Sequence, residues 1–339
     1  METCTVLDYS GSSSPIVRKN IEISREVKSN EIIVGTEYIA LNPVDLKLKG
    51  LDYFGFGTLG REFTGVVTAA GATSGFQPGD RVCGFKRLYG TVGTVTKLST
   101  KSNIVLPRPS SLSSKEAAAL AVAFGTAYSL ILAGQPVDSE STVMVLGGAT
   151  CVGLSAIQIL KKHYKVKRVV ASCSPASAEN VKSHGADETI DYRSADYMAK
   201  LVEAAGDKRF ANVYDCVGGY ETVKIAPRLV VKGGSYVSCC GDAGPTETYS
   251  QGMNGAFFAG QVRMMVRSLV APTLYGYNYK FVSVAPGSWM KSATQIVDEC
   301  KITVPIDSVY PLDQAQEAYD RLNSMKAKGK VLIATTVSQ

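Results

Sequence analysis

The stretch that decides the fold is residues 141–175, STVMVLGGATCVGLSAIQILKKHYKVKRVVASCSP. It begins with the short apolar run Thr142 to Leu146, rich in β-branched side chains and typical of a strand buried on both faces. Gly147 and Gly148 end that run, and from Gly153 onwards apolar residues recur at the spacing of one helix face. A glycine turn between a strand and a helix directs backbone N–H groups and the helix dipole at an anion. The stretch therefore predicts a strand, an anion-binding turn and a helix.

The turn resembles the site at which a dinucleotide pyrophosphate is held. The fingerprint G-x-G-x-x-G would fall on Gly148, position 150 and Gly153, but position 150 is Thr. A bare glycine turn can also be purely structural, so the surrounding pattern has to support the interpretation. We assign cofactor binding to the whole turn, which comprises Gly148, Ala149, Thr150, Cys151, Val152 and Gly153.

The chain beyond the turn alternates between strand and helix patterns. Ser174 and Pro175 are typical of a helix N-cap and first helical residue, and Gly185 of a helix end. Further strands are predicted over residues 166–171, 187–191, 211–217 and 235–239, with a helix over 194–205. Strands that alternate with helices indicate a parallel, doubly wound sheet.

The end of the second strand bears on the choice of cofactor. NAD sites place an acid on the ribose hydroxyls about 20 residues past the glycines, and here residues 171–174 read ASCS. An acid would repel a 2′-phosphate, whereas small hydroxyl groups admit it, so NADPH is favoured over NADH. The candidate phosphate-binding residues are Ser172, Ser174 and Ser177, joined by Tyr192 and Arg193 from the end of the third strand. Alternatively, Ser174 only caps its helix and Arg193 is a solvated surface charge.

Size and composition limit the class of protein. A chain of 339 residues allows two domains. The net charge of +6 is not gathered into a basic run, which gives little support to a nucleic-acid partner. No apolar run approaches the roughly 20 residues of a membrane span. Eight cysteines without regular spacing, and no secretory leader at the start, predict free thiols and a cytoplasmic setting.

The regions that flank this alternating stretch have a different character. Residues 1 to about 110 contain short strands over 31–40, 63–70 and 81–85, broken by Gly and Pro, which suggests a barrel-like β domain. Ser113 and Glu116 form a plausible capping box for an alanine-rich helix over 113–132. A helix is predicted over 314–325 and a closing strand over 330–335, whereas residues 242–285 show no clean periodicity.

Six further stretches, in this order, carry a family resemblance: LNPVDLKLKG (41–50), LGREFTGVVTAAG (59–71), FQPGDRVCGF (76–85), EAAALAVAFGTAY (116–128), GADETIDY (185–192) and AKGKVLIA (327–334). They resemble the medium-chain dehydrogenase/reductase superfamily, and within it the zinc-independent quinone and enone oxidoreductase branch. The turn GGATCVG is similar to that of fungal members. The resemblance implies a GroES-like catalytic domain over residues 1–118 and 270–339, and a Rossmann NADPH-binding domain over 119–269.

The chain departs from the zinc-dependent members of that superfamily at the metal site. Where those members have a Gly-His-Glu ligand motif, it has Gly60-Arg61-Glu62, and an arginine cannot coordinate zinc. Residues 86–110 also contain no cysteine for a structural zinc lobe. Without a Lewis acid to ionise an alcohol, alcohol oxidation is disfavoured. The resemblance then implies NADPH-dependent reduction of quinones or α,β-unsaturated carbonyls, with no metal.

The resemblance also implies residues at the reacting end of the cofactor. Asn42 and Lys47 would line the nicotinamide, where Lys47 orients the ribose or donates a hydrogen bond to the substrate oxygen. The alternative is a solvated lysine on a turn. Asp45 is expected to stabilise a turn rather than act as a general base. Further positions near the cofactor are Thr126, Val217, Gly218, Gly329 and Lys330. The alternative for Thr126 is helix packing, and for Gly218 a plain turn.

A second class of function stays open. Thr150 and Cys151 stand where many relatives have Gly, and could narrow the turn enough to block the cofactor. The chain would then be a catalytically weak NADPH-binding protein or a stress-associated accessory protein with the same fold. A zinc alcohol dehydrogenase is the third interpretation, and would require metal in the purified protein. The resemblance leaves the choice between a monomer and a homodimer open.

Overall fold

The computed structural model describes residues 1–8, 16–47, 60–87, 93–134, 136–242 and 255–335. Within these ranges the side chains of Val17, Leu46, Lys47, Gln261 and residues 255–258 are outside the description. The chain forms two compact units: unit 1 comprises Met1–Gly125 and Ala285–Gln339, and unit 2 comprises Thr126–Val284. The domain boundaries expected from the sequence are 118/119 and 269/270, and the second of these falls inside a helix, Gly255–Leu274.

Unit 1 is largely antiparallel β structure. Its first part contains β1 (Glu2–Asp8), β2 (Val17–Ile23), β3 (Glu31–Ala40), α1 (Pro43–Lys47), β4 (Glu62–Ala70), β5 (Arg81–Phe85), β6 (Val95–Ser99), β7 (Ile104–Pro107), α2 (Ser114–Ala118) and the start of α3 (Leu120–Ala133). The hairpin β1–β2 forms a sheet of its own. The long strand β3 pairs with both β4 and β6, and β4 continues through β5 to β7.

Unit 2 contains the alternating stretch. Its elements are β8 (Thr142–Leu146), α4 (Cys151–Gln158), β9 (Arg168–Cys173), α5 (Ala178–Ser183), β10 (Glu188–Asp191), α6 (Tyr197–Ala205), β11 (Phe210–Asp215), α7 (Tyr220–Lys224), α8 (Ala226–Leu229), β12 (Val230–Ser238), α9 (Gly255–Leu274) and β13 (Asn278–Phe281). The strands pair in parallel in the order β10-β9-β8-β11-β12-β13. The strand order reverses at β8, and ligands of such sheets bind at this point, beyond the carboxyl ends of the strands.

The chain then returns to unit 1 with α10 (Met290–Cys300), β14 (Ile306–Pro311), α11 (Ala315–Asn323) and β15 (Lys330–Ala334). Strand β15 pairs with β3 and β14, and thereby inserts the C-terminal segment into the main sheet of unit 1. The expected fold class, a GroES-like β-rich domain with a Rossmann parallel-sheet domain, is confirmed. Each unit buries an apolar cluster of its own, around Phe63 and Val331 in unit 1 and around Met144 and Tyr236 in unit 2.

One local prediction differs from the structure, and one stretch without a prediction contains regular elements. The capping box at Ser113 and Glu116 is confirmed, but the helix it opens ends at Ala118, and a second helix begins at Leu120. The region without clean periodicity contains α9 and the edge strand β13. The sequence of α9 shows no clear helical period because apolar residues occur on its exposed face as well as on its buried face. The exposed apolar residues are Val262, Met265, Val266 and Leu269. No helix in the described ranges is long and apolar enough to cross a membrane.

Candidate functional site

The turn between β8 and α4 is built from glycines that no other residue could replace without a local shift. Gly147 has φ of +76°, and a Cβ there would lie 2.3 Å from Val217 Cγ1. A Cβ on Gly153 would lie 2.2 Å from the carbonyl oxygen of Gly147. A Cβ on Gly148 would lie 2.8 Å from Ala171 Cβ, on the neighbouring strand. The turn is therefore packed tightly against the start of α4, against β9 and against Val217, which follows β11. A turn that binds a phosphate closely requires such packing.

Thr150, the residue that departs from the glycine fingerprint, is the N-cap of α4. Its Oγ1 accepts a hydrogen bond from the Gly153 amide at 2.9 Å and donates one to the Gly147 oxygen at 2.8 Å. Because the first amides of a helix have no intrahelical acceptor, this bond leaves Ala149 and Val152 as candidate donors to an anion. The turn therefore fits a pyrophosphate, and the two hydrogen bonds of Thr150 hold the backbone of the turn in place.

Ser172 supports the turn from β9. It is buried, its Oγ accepts from the Gly147 amide at 2.9 Å, and its carbonyl accepts from the Gly148 amide at 2.8 Å. The structure therefore gives Ser172 a positioning role in the turn. Its predicted contact with a cofactor phosphate stays a prediction.

The carboxyl end of β9 carries the remaining candidates for the 2′-phosphate. The hydroxyl oxygens of Ser174 and Ser177 lie 3.1 Å apart. Ser174 is the N-cap of a short 3₁₀ turn, Pro175–Ser177, and Pro175 is its first residue, as predicted, although the Ser174 side chain makes no capping hydrogen bond. The Arg193 guanidinium lies 5.6 Å from the ring centre of the exposed Tyr192.

The sequence interpretation missed an acid at this end of the sheet. Asp191 is the last residue of β10 and is paired in register with Cys173, the last residue of β9. Its Oδ1 accepts a hydrogen bond from the Arg193 amide at 2.9 Å. Inspection of the second strand alone could not reveal it, because the acid comes from the third strand and only their pairing places it there.

A second missed acid, Asp215, holds the turn that follows β11. Its Oδ1 accepts from the amides of Val217 at 3.1 Å and Gly218 at 2.8 Å. Its Oδ2 accepts from the hydroxyls of Tyr236 and Ser238, each at 3.1 Å. Burial raises the pKa of this carboxyl, and the four donors act in the opposite direction. Asp215 thereby orders the backbone of Val217 and Gly218, which the sequence assigns to the cofactor. An acid at the end of a largely apolar strand was the available signal.

Unit 1 contains a buried polar cluster around Lys330, which stands at the start of β15. The Lys330 ammonium donates to Glu62 Oε2 at 2.6 Å and to Asn42 Oδ1. The Asn42 side-chain amide donates to the same Glu62 oxygen at 2.9 Å. Glu62 Oε1 accepts from the Val122 amide at 2.7 Å. Asn42 and Lys330, predicted separately from distant motifs, are therefore brought together by β3, β4 and β15.

Asp45 borders this cluster. Its Oδ2 accepts from the Asn42 amide at 2.8 Å, which is the turn-stabilising role expected from the sequence. Its Oδ1 is buried without a hydrogen-bond partner among the described residues. Burial raises the pKa of Asp45 to about 7, against the opposing effects of the Asn42 amide and the charges of Arg61 and Lys330.

Arg61 directly precedes Glu62, the first residue of β4. It is buried, and its Nη1 donates to the carbonyl oxygen of Arg87 at 3.0 Å. Within the described ranges, no group of three or more His, Cys, Asp or Glu side chains is arranged to hold a metal ion. The arginine therefore supplies a second buried cation to this part of unit 1.

The other predicted residues are placed as follows. Thr126 is buried in α3. Gly329 precedes β15, where a Cβ would lie 2.5 Å from the Pro305 carbonyl oxygen, so glycine is required by close backbone packing. Lys47 ends α1, but its side chain is outside the described residues, and its catalytic role stays a prediction.

Comparison with known proteins agrees with this architecture. Residues 28–106 match the model of the alcohol dehydrogenase GroES-like domain, and residues 184–333 match that of a zinc-binding dehydrogenase. The protein YIM1-1 of Lachancea thermotolerans is 29% identical over 97% of either chain. The CurK enoyl reductase structure has a TM-score of 0.78 and 18% identity over 98% of this chain and 99% of its own.

A quinone oxidoreductase from Coxiella burnetii has a TM-score of 0.75 and 18% identity, over 99% of this chain and all of its own. At such identities the structural likeness concerns the fold. Together with the two domain matches, it shows that the chain belongs to the medium-chain dehydrogenase/reductase superfamily. Its fold is that of an oxidoreductase and implies a nicotinamide cofactor.

Proposed function

We propose that the chain is a zinc-independent, NADPH-dependent reductase of quinones or α,β-unsaturated carbonyls. The observation that carries the proposal is the buried cluster of unit 1. At the place of a metal-ligand motif, the chain has Arg61, and the carboxylate of Glu62 binds the Lys330 ammonium at 2.6 Å. A fixed ammonium cannot ionise an alcohol as a metal does, but it can stabilise negative charge on an acceptor that is already electron-poor.

The bound cofactor would supply the hydride, and the protein supplies position and charge. Lys330 has three N–H donors, of which Asn42 and Glu62 occupy two. The third is the donor we assign to the oxygen on which negative charge develops. Burial of Lys330 excludes water from it, which strengthens such an interaction. Asn42, with both ends of its side chain held, fixes the ammonium in place.

We also propose that unit 2 prefers NADPH to NADH. The hydroxyls of Ser174 and Ser177 and the guanidinium of Arg193 favour a 2′-phosphate. The carboxylate of Asp191, on the neighbouring strand, would repel a 2′-phosphate. We therefore expect a moderate preference for NADPH. The fit of the glycine turn to a pyrophosphate is common to both cofactors.

Titration with each cofactor tests these proposals first. Binding can be followed through the fluorescence of Trp289, the single tryptophan, or by calorimetry. Ser174→Ala with Ser177→Ala should weaken NADPH binding and leave NADH binding unchanged. Ser183→Ala, in the adjoining helix α5, is the matched control. Oxidation of NADPH in the presence of a panel of quinones and enones then identifies the acceptor class.

One observation favours the second candidate, an accessory protein that binds the cofactor weakly or not at all. Thr150 already occupies the Gly153 amide, which lowers the number of donors that the turn offers to a pyrophosphate. If neither cofactor binds, the reductase proposal is refuted and the accessory-protein proposal is supported. Tight binding without turnover on any acceptor would refute the catalytic role alone. We place either form in the cytoplasm, since the eight cysteines are free thiols.

A further inference from the structure

Three of the eight cysteines meet at the carboxyl edge of the unit 2 sheet. Cys216 directly follows β11, and Cys239 and Cys240 directly follow β12. The Cys239 and Cys240 sulfurs lie 3.8 Å apart, and the Cys240 thiol donates to the Cys216 carbonyl oxygen at 3.4 Å. The Cys239 thiol donates to the carbonyl oxygen of Asp215, the residue before Cys216, at 3.6 Å. None of these thiols has a role in the function proposed above.

The strand register selects one pair from the three. Asp215 is paired with Ser238 on the parallel strands β11 and β12, so the next residues, Cys216 and Cys239, are neighbours. Neighbouring strands lie about 4.8 Å apart, within the range of about 4.4–6.8 Å that a disulfide spans between Cα atoms. Cys239 and Cys240 are adjacent in the chain, and their Cα separation of about 3.8 Å lies below that range.

The surroundings of Cys239 separate the roles of the two thiols. Interaction with the Cys216 side chain, burial and the charge of Asp215 raise the pKa of Cys239 well above its usual value, and interaction with Cys240 acts in the opposite direction. Cys239 therefore keeps its proton. An oxidant would be attacked by Cys216, and Cys239 would be the resolving thiol. Cys216 is 6% exposed, which restricts attack to a small oxidant.

We propose that Cys216 and Cys239 form a dithiol that hydrogen peroxide oxidises to a disulfide. The Cys216 thiolate attacks one peroxide oxygen, the O–O bond breaks, and the products are a sulfenic acid and a hydroxide that takes up a proton to become water. The Cys239 sulfur then attacks the Cys216 sulfur and displaces a second water, which carries off the Cys239 proton. Two thiols and one peroxide give one disulfide and two waters.

The disulfide would join the ends of β11 and β12 directly beside the turn that Asp215 holds. A bridge between adjacent strands lies near the short end of the allowed Cα distances, and such bridges are reduced more readily than relaxed ones. The modification would therefore be reversible by a thiol reductant. It does not depend on which cofactor the protein binds or on whether it is a reductase.

Mapping of the disulfide in the full-length protein tests this proposal. The reduced protein is treated with hydrogen peroxide, remaining thiols are alkylated, and linked peptides are identified by mass spectrometry. We expect the thiols titrated in denaturant to fall from eight to six, because one disulfide removes two of them. We expect a Cys216–Cys239 linkage that a dithiol reductant reverses. Full alkylation of both residues after peroxide, or a linkage of Cys239 to Cys240, would overturn the proposal.

Two variants sharpen the result. Cys239→Ser removes the resolving thiol, so Cys216 should accumulate as a sulfenic acid that a cyclic 1,3-diketone traps. Trapping at Cys240 alone would contradict the assignment of Cys216 as the attacking thiol. Cys300→Ser, in unit 1, is the matched control and should leave the linkage unchanged. The wild-type mapping does not require either variant to fold.

Discussion

At the residue scale, the polar cluster of unit 1 depends on the Lys330–Glu62 ion pair. Lys330 is 5% exposed, and the side chain of Glu62 is fully buried. A charge at such a position is stable only while its partner is present, since neither group can be hydrated. The Asn42 amide and the Val122 backbone also donate to Glu62. The stability of each group in the cluster therefore depends on the others.

We expect Glu62→Gln to lower the free energy of unfolding by about 3–5 kcal/mol, because it leaves the Lys330 ammonium without its anion. Urea denaturation of the two proteins measures the difference. A double variant, Glu62→Gln with Lys330→Met, should recover part of the loss by removing the unpaired charge. The exposed pair of Lys224 and Glu221 supplies the control, and Glu221→Gln should leave the stability nearly unchanged. Equal effects at the two sites would contradict the buried-pair account.

The raised pKa of Asp45 predicts a specific pH dependence. Its pKa is about 7 in the folded state, against 3.8 for a free side chain. Between these values the folded protein binds the proton more tightly than the unfolded chain does, so stability falls as the pH rises through this window. The slope contributed by one such group is at most about 1.4 kcal/mol per pH unit. Above the folded-state pKa the contribution is constant.

Asp45→Asn should flatten that slope, because an asparagine does not titrate and its oxygen can still accept from the Asn42 amide. Unfolding free energies at several pH values from 4 to 8 measure it. Asp80→Asn is the matched control, since Asp80 also accepts a turn amide, from Gln77 at 2.8 Å, but is not fully buried. An unchanged slope in Asp45→Asn would show that this carboxyl ionises normally.

At the element scale, α4 begins where it does because of Thr150. The helix is eight residues long and continues into a π-helical turn, Ile159–His163, so its start is a large part of its stability. Thr150→Val keeps the shape and removes the capping oxygen. We expect a loss of about 1–2 kcal/mol in the free energy of unfolding. Thr150→Ser, which retains the hydroxyl, should stay close to the wild type, and a similar loss in both variants would refute the capping role.

The elements differ in how far they could be predicted. Strand β8 and helix α4 were predictable because each buries a regular set of side chains. Helix α9 was not, since its exposed apolar residues mask the periodicity. The division between α2 and α3 was also missed, because the alanine-rich segment has uniform helix propensity and carries no local stop signal.

At the scale of the whole molecule, the two units differ in how the chain forms them. Unit 2 is a single continuous segment with its own apolar cluster and the complete parallel sheet, whereas unit 1 is assembled from both ends of the chain. A continuous segment with its own core can fold without the rest. We therefore expect a fragment of residues 119–284, which contains all of α3, to unfold cooperatively in urea.

A fragment of residues 126–284 is the matched comparison. It divides α3 between Gly125 and Thr126 and removes the start of the helix, so we expect it to be less stable than the longer fragment. Near-ultraviolet circular dichroism reports the fixed packing of its tyrosines. A longer fragment without a cooperative transition would show that unit 2 requires unit 1 to fold.

The sequence by itself determined the fold class, the glycine turn and the presence at position 61 of an arginine, which cannot coordinate zinc. It could do so because these features rest on local periodicity, on glycine geometry and on the chemistry of single side chains. Only the tertiary structure decided which distant residues meet. The Asn42–Glu62–Lys330 cluster, Asp191 beside Cys173 and the thiol pair of Cys216 and Cys239 all depend on strand pairing. The packing of the whole sheet decides which distant strands pair, because the pattern of a single strand does not specify its partner.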